Sequence, residues 1–312
     1  MIKRVIYLIA IVGLIVSCKK DKINTDKVYS WVVYDSANGL ASNKVSTITF
    51  DNNGKLWCGD SDGGLSYFDG KNWTTYPYYI KDGIYLNVTS IEFDDQNNEW
   101  LGLNGCSLTM YDGENWTEYN TLTFVSCITV DGEGKIWFGT YDGIVAAYDK
   151  SNWEFYYLDD NTGIYDIDFD SKGILWLGTY NGLMKFDGVN FTSYPIQTDY
   201  LSYIYPVDDI YIDENDNIWT ASNCVAKFDG NNWEIINTDN GLVSNYVTSI
   251  AFDSDDNMWV GTQYGLSKFD GTKWTTFNTE NGLPDDYITC IEIDKSNNLW
   301  FGTVNAGICK LK

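Results

Sequence analysis

Carboxylates are the reactive groups this chain has in quantity. It carries 44 Asp and Glu against 20 Lys and Arg, no His, and a formal charge of −24. A pair of carboxyl groups can serve as acid and base, or as acid and nucleophile, on a glycosidic bond. Clusters of their oxygens can hold Ca2+. Chemistry that needs other groups is excluded. Without His there is no Ser-His-Asp or Cys-His nucleophile and no His-ligated metal. The only Arg is Arg4, so the rest of the chain has no guanidinium to clamp a carboxylate or phosphate. A surface this acidic repels phosphate backbones, so nucleic acid is not an expected partner.

Seven of the Asp residues follow one rule. Asp51, Asp94, Asp131, Asp170, Asp213, Asp253 and Asp294 are each followed, after five residues, by a Trp: Trp57, Trp100, Trp137, Trp176, Trp219, Trp259 and Trp300. Between the two lie Asn, Asp and Gly residues, as in Asp51-Asn52-Asn53-Gly54, which is tight-turn chemistry. A calcium loop needs alternating oxygen ligands and a later bidentate Glu. No copy has that set, so no metal and no cofactor is expected. Seven Asp in identical turn positions also argue against one special catalytic pair. The remaining nucleophiles are thiols. Cys58, Cys106, Cys127, Cys224, Cys290 and Cys309 contain no CxxC pair, which leaves little for zinc or redox chemistry. Cys127 and Cys290 lie four residues before the repeat Asp, where other copies have Thr47, Ser90 or Ser249; they read as packing thiols. Cys290 and Cys309 fall on strands about 9–10 Å apart, too far for a disulfide.

The elements that position these residues repeat with a period of 37 to 43 residues between successive Trp, the signature of a propeller or array. Each copy gives four short strand signals, clearest at Val247–Phe252, Met258–Thr262, Gly265–Phe269 and 273–278, with a Phe-Asp-Gly turn between the third and fourth. The last copy stops before its fourth strand. The missing piece is at the other end, where Tyr29-Ser30-Trp31-Val32-Val33-Tyr34 followed by Asn38-Gly39-Leu40 matches Thr272-Lys273-Trp274-Thr275-Thr276-Phe277 followed by Asn281-Gly282-Leu283. The expected fold is therefore all-β: a seven-bladed β-propeller over residues 28–312, four antiparallel strands per blade, with the last blade closed by the N-terminal strand so that Trp31 lies beside Leu311. The central Trp residues are expected in the inter-blade core. The glycines after them (Gly139, Gly178, Gly261, Gly302) should admit neighbouring backbone. Blade five breaks the pattern with Trp219-Thr220-Ala221-Ser222.

Residues 1–17 form a basic, then apolar segment too short to span a bilayer, as in a secretory signal. Ile15-Val16-Ser17-Cys18 resembles a bacterial lipobox. The resemblance implies cleavage before Cys18 and lipidation of its thiol, with residues 18–27 as a polar tether. Lys19 after the Cys points to an outer membrane lipoprotein, periplasmic or surface-facing, held by its lipid anchor only.

The repeats resemble the two-component regulator propeller family. Copy six carries the motif almost throughout: Gly241-Leu242, Val247, Ile250, Asp253, Asn257-Met258-Trp259-Val260-Gly261-Thr262 and Gly265-Leu266. Copy seven is close at Asn281-Gly282-Leu283 and Asn298-Leu299-Trp300-Phe301-Gly302-Thr303; copies two and five are degraded. The resemblance implies kinship with periplasmic sensor modules that bind oligosaccharides or other ligands, here without a kinase core in the same sequence. Streptogramin-lyase-like propellers have a similar blade count, but the absence of His argues against their chemistry.

Function should lie where the copies disagree. Loops between strands two and three, and connections between blades, share one face of a propeller. Here they carry Tyr141, Tyr180, Tyr264, Tyr85, Tyr203, Tyr205 and Tyr287, with Asn181 and Asn223 among them. Flat aromatic faces with amide partners suit a carbohydrate or peptide ligand. The expectation is a monomeric, non-enzymatic, ligand- or partner-binding propeller at the cell envelope. The alternatives are a scaffold for an envelope protein complex and a carboxylate-based glycan-acting enzyme.

Overall fold

The computed structural model describes residues 29–76, 80–81, 84–85, 87–105, 107–121, 123–158, 162–196 and 206–311. The leader, Cys18 and its tether lie outside the described residues, as do Cys106, Tyr203 and Tyr205.

Seven four-stranded antiparallel sheets make up the ring. The first strand of each is innermost. These strands are Val45–Phe50, Val88–Phe93, Val125–Val130, Ile164–Phe169, Asp209–Ile212, Val247–Phe252 and Ile288–Ile293. Each touches the first strand of the next blade, and the seventh touches the first, which closes the circle around an axial channel. Closure is completed as the sequence predicts. Trp31–Tyr34 forms the fourth strand of blade seven, with Trp31 opposite Leu311 and Tyr34 opposite Ile308. A short ribbon, Ile80–Lys81 paired with Ile84–Tyr85, decorates the connection from blade one to blade two.

Seven apolar clusters hold the ring together, each spanning two successive blades. A repeat Trp contributes to each. Trp137 meets Phe169 of blade four at 5.6 Å, Trp219 meets Phe252 of blade six at 5.0 Å, and Trp300 meets Phe50 of blade one at 6.2 Å. Six of the seven are buried; Trp219, in the irregular blade, is half-buried. One such side chain removes about 150–250 Å² from water, on the order of 4–6 kcal/mol before entropy is subtracted.

The repeat Asp ties this core to its turn. In blade six the Oδ1 atom of Asp253 accepts from the backbone N–H groups of Asp255 and Asn257, both at 3.0 Å. Its Oδ2 accepts from the Trp259 indole N–H at 2.9 Å. The Trp-to-Asp bond recurs in all seven blades, at 2.9 to 3.5 Å. The Asp therefore caps the turn and also satisfies the one polar atom of a buried ring.

The glycine after the Trp serves a different purpose from the expected backbone contact. A Cβ on Gly59, Gly102, Gly139, Gly261 or Gly302 would strike a side chain: Val88, Val125, Ile164, Ile288 or Val45, the first residue of the next inner strand, at 2.5 to 2.9 Å. Only Gly178 meets backbone first, the Val207 carbonyl at 2.8 Å. The glycine is a socket for a β-branched knob, because inner strands crowd where the blades converge.

Candidate functional site at the mouth of the axial channel

The inner strands have a free edge toward the channel, and free edges carry backbone groups that need partners. In this ring side chains of blades one, two, four, five and six cap the edge of the next blade. A one-residue bulge near the start of the inner strand, present in six blades, frees one residue for the task. Ser46, Thr89 and Thr248 hold that place and donate to the carbonyls of Val88, Val125 and Ile288 at 2.6 to 2.8 Å. The next residue along accepts instead. Ser90 takes the Ile128 N–H at 3.1 Å and Ser249 the Ile291 N–H at 3.2 Å.

Blades four and five depart from this small-hydroxyl rule. Where others carry Ser46-Thr47, Thr89-Ser90 or Thr248-Ser249, blade four has Tyr165-Asp166 and blade five has Asp208-Asp209. Asp166 and Asp209 still act as caps, accepting from Ile210 and Ile250 at 2.9 and 2.8 Å. Both are half-buried in the channel wall. Burial, reinforced by the neighbouring Asp209, pushes Asp166 well above the usual carboxylate range. Burial pushes Asp209 up to about 6. Asp208 has no side-chain partner among the described residues; solvent reaches it, yet enclosure by the surrounding blades raises its carboxyl to about 6.

Further down, the channel carries more acid. Burial lifts Glu92 to about 7 and Glu292 to about 8, and raises Asp168. A cavity of about 290 Å³ opens here, lined by Asp209, Tyr211, Ser249, Ala251 and Glu292 among others. Among the described residues no three acidic or thiol groups converge closely enough to hold a metal ion. A larger cavity, about 450 Å³, sits at the opposite face between blades three and four. Its polar lining comes from turn residues such as Asp131, Asp170 and Asp187, already bonded within their own turns, so it belongs to the frame.

The mouth of the channel is aromatic on one side. Tyr141, in the loop after the second strand of blade three, meets Tyr165 with ring centroids 5.6 Å apart and planes at 69°. Its carbonyl would lie 3.0 Å from a Cβ on Gly163, so only glycine lets the two blades approach this closely. The Tyr180 N–H donates to the Gly163 carbonyl at 2.9 Å, and Val207 to Thr179 at 3.0 Å, which fixes Tyr180 and Asp208 on the same rim. Burial, then Cys127, Tyr165 and Asp208, raise the Tyr141 phenol, and burial with Asp208 raises that of Tyr165, so both rings lie within electrostatic reach of one carboxylate. Phe124 extends the patch, 44% exposed.

The other sequence-predicted residues are scattered around this face. Tyr264 is 59% exposed and pairs with Tyr246 at 6.0 Å on blade six. Tyr287 and Asn223 are half-buried in blades seven and five, and Tyr85 ends the short ribbon. Asn181 spends its amide on the Thr162 hydroxyl at 2.8 Å, and Asp142 accepts from Thr123. Sequence reasoning missed Tyr165, Tyr246, Asp208 and the channel carboxylates. The signal was available: aligning the copies puts Asp166 and Asp209 in the same column as Thr47, Ser90, Cys127, Ser249 and Cys290. All five described thiols are free and most are buried.

A known repeat motif spans these two loops. The sequence profile of the two component regulator propeller matches residues 121–142, 241–264 and 282–305. The chain carries two component regulator propeller repeats. Each match runs from a blade connection, through the inner hairpin, to the loop after the second strand, so each joins both variable loops to the constant turn. No curated protein matches in sequence. Among solved structures, the fold is similar to the extracellular domain described as that of a hybrid two component system, BT4673, from B. thetaiotaomicron. That match has a TM-score of 0.75 and 21% identity, over 90% of this chain but only 39% of the other. It is similar to virginiamycin B lyase from Staphylococcus aureus at TM-score 0.76 and 15% identity, over 91% of this chain and 99% of the lyase. It is also similar to YCF48 from Cyanidioschyzon merolae at TM-score 0.70 and 14% identity, over 90% and 98%. A form of the lyase with one histidine replaced by alanine is described as catalytically inactive; this chain has no His.

Proposed function

We propose that this propeller is a non-enzymatic binding module of the bacterial cell envelope, taking a small ligand or peptide segment at the mouth of its channel. One observation carries the reading: exposed aromatics and an unpartnered carboxylate gather on the face where the copies differ, at blades that abandon the shared hydroxyl caps. Fold cannot decide the matter, since the similar structures include a sensor domain, a lyase and a form of YCF48 described as bound to D1 peptide. The non-enzymatic reading is supported by the absence of His and of any Arg beyond Arg4. Anchorage through Cys18 is supported by the lipobox-like leader. Among the described residues no helix is long and apolar enough to cross a membrane.

Thermal-shift titration of the full chain against oligosaccharide and peptide panels tests the binding reading. A panel member should raise Tm, and Tyr165→Ala or Tyr180→Ala should abolish the rise. A ligand whose effect survives both variants would move the site elsewhere. Radiolabelled palmitate incorporation, lost in Cys18→Ser, tests the anchor. A second reading, carboxylate-based glycan hydrolysis, draws on the Asp166–Asp209 pair, whose burial makes both weaker acids that hold a proton nearer neutral pH. It ranks lower because both side chains already accept backbone N–H groups as edge caps. Product analysis on the same oligosaccharides, with Asp166→Asn and Asp209→Asn as controls, would reveal turnover.

A further inference from the structure

The ligand's charge can be read from the site. We propose that the channel mouth between blades three and five binds an organic ammonium group, with Tyr141, Tyr165 and Tyr180 around the cation and Asp208 as its counter-ion. This deepens the binding reading above and rests on it.

Three observations support it. First, two phenol rings set at 69° with centroids 5.6 Å apart form the corner of a box, with Tyr180 on the adjoining loop. Ring faces attract a cation within about 6 Å, and the attraction grows as water is removed. Second, Asp208 follows Val207, which is bonded to Thr179 on this rim, acts electrostatically on Tyr141 and Tyr165, and has no hydrogen bond or ion pair to its carboxylate among the described residues. Blade four's Asp166 and blade five's own Asp209 are committed to backbone N–H groups; Asp208 alone is left to meet a ligand. Third, the basic groups are elsewhere. Lys55, Lys135, Lys172 and Lys295 stand on the first turns of their blades at the opposite face. Lys227, Lys268 and Lys310 lie over the repeat Trp rings at 4.6 to 5.0 Å, also toward that face. On the mouth side, Lys44 is held by Asp62 at 3.0 Å on blade one. The only other described lysine there is Lys81, on the ribbon after blade one. Among the described residues no lysine occupies the box, and the field over this face attracts positive charge.

A neutral sugar would donate hydroxyls to Asp208 but leave its charge uncompensated, and an anionic ligand would be repelled. A quaternary or primary ammonium satisfies both rings and carboxylate. Such a group could belong to a choline-type head group, an amino sugar or the N-terminus of a peptide; the shared chemistry is the ammonium.

The test is calorimetric titration of the full chain with choline and with 3,3-dimethylbutan-1-ol, its uncharged isostere of the same shape. Choline should bind saturably, and the isostere about tenfold more weakly or not at all. Asp208→Asn should weaken choline about tenfold and leave the isostere unchanged. Tyr165→Ala should weaken both, while Tyr264→Ala, on blade six, changes neither. Equal binding of choline and isostere, or no saturable choline binding at all, overturns the ammonium assignment. The comparison of choline with its isostere uses the unaltered protein, so a variant that fails to fold does not spoil it. If choline fails while a neutral panel ligand is lost in Tyr165→Ala, the binding face stands and only its charge preference falls. If no panel member responds to that variant, the face itself is wrong.

Discussion

At one end of each inner hairpin an Asp closes the turn and holds the Trp; at the other end, in blades four and five, Asp166, Asp208 and Asp209 stand where the other blades carry Ser, Thr or Cys. The residue type is the same and the thermodynamics are opposite. The turn carboxylates of Asp94, Asp213, Asp253 and Asp294 are partly buried, which alone would raise them. Hydrogen bonds from Asn and Trp side chains and backbone N–H groups outweigh that and hold them below their ordinary value of 3.8. Their contribution to stability is present above that value and is lost as pH falls through the lower, folded one. The channel acids are enclosed without enough donors, so their folded values rise. Their contribution is full below the unfolded value and is lost as pH climbs through the raised one. Where the copies agree, carboxylates stabilise the frame at neutral pH; where they differ, carboxylates weaken it. The weakening is tolerated in a region with another task.

Replacing a turn Asp gives the largest effect. Asp253→Ala removes the acceptor for two backbone N–H groups and the Asn257 amide and strands the buried Trp259 indole N–H, so it should cost about 3 kcal/mol in urea denaturation. A loss as small as that of a surface substitution would mean the turn caps are decorative. Glu99→Leu should act in the other direction. Glu99 is 1% exposed, neither oxygen has a partner, and burial raises its carboxyl well above the ordinary range. Other blades place Leu56, Ile136, Leu175 or Leu299 in that position. The substitution should stabilise by about 2 kcal/mol at neutral pH, read from the same denaturation curves.

Glu292→Gln sharpens the contrast in sign. With Glu292 at about 8 and its ordinary value at 4.5, wild-type stability should fall as pH rises from 5 to 8. The variant should flatten that fall by about 1–2 kcal/mol. A steeper decline in the variant would contradict the enclosure of the channel. The smallest effect is on binding. Asp208 acts electrostatically on Tyr141, Tyr165 and Asp209, and burial raises its own carboxyl to about 6. Choline affinity should therefore drop about tenfold between pH 7 and pH 5, and Asp208→Asn should remove most of that dependence.

The frame was legible because it repeats. Seven Asp–Trp pairs set the blade number, and the match of Trp31 to Trp274 marks the closing strand. The channel was not legible from the same pattern. Cys127 and Cys290 were read as small packing positions, and that reading hid the two Asp in the same column. A residue facing the axis obeys the edge-capping needs of its neighbour blade, which no single repeat displays. Tyr165 escaped notice because it lies within a strand rather than a loop, and the bulge that turns it toward the mouth has no sequence signature of its own. Blade five looked broken at Trp219, yet its hairpin keeps the Asp213 bond at 3.1 Å. What changes is that Ala221 replaces the glycine socket and Asp208 replaces a hydroxyl cap.

The pairing of Trp31 with Leu311 has a topological consequence. In blade six the equivalent pair, Phe269 and Trp274, is joined by the Asp270-Gly271 turn. The described chain is thus a circle opened at one turn between third and fourth strands. Joining Leu311 to Trp31 through a copy of that turn and opening the circle at any other such turn gives a circular permutant with the same seven sheets and the same mouth. The order in which the blades are written along the chain is, for this molecule, a choice of starting point.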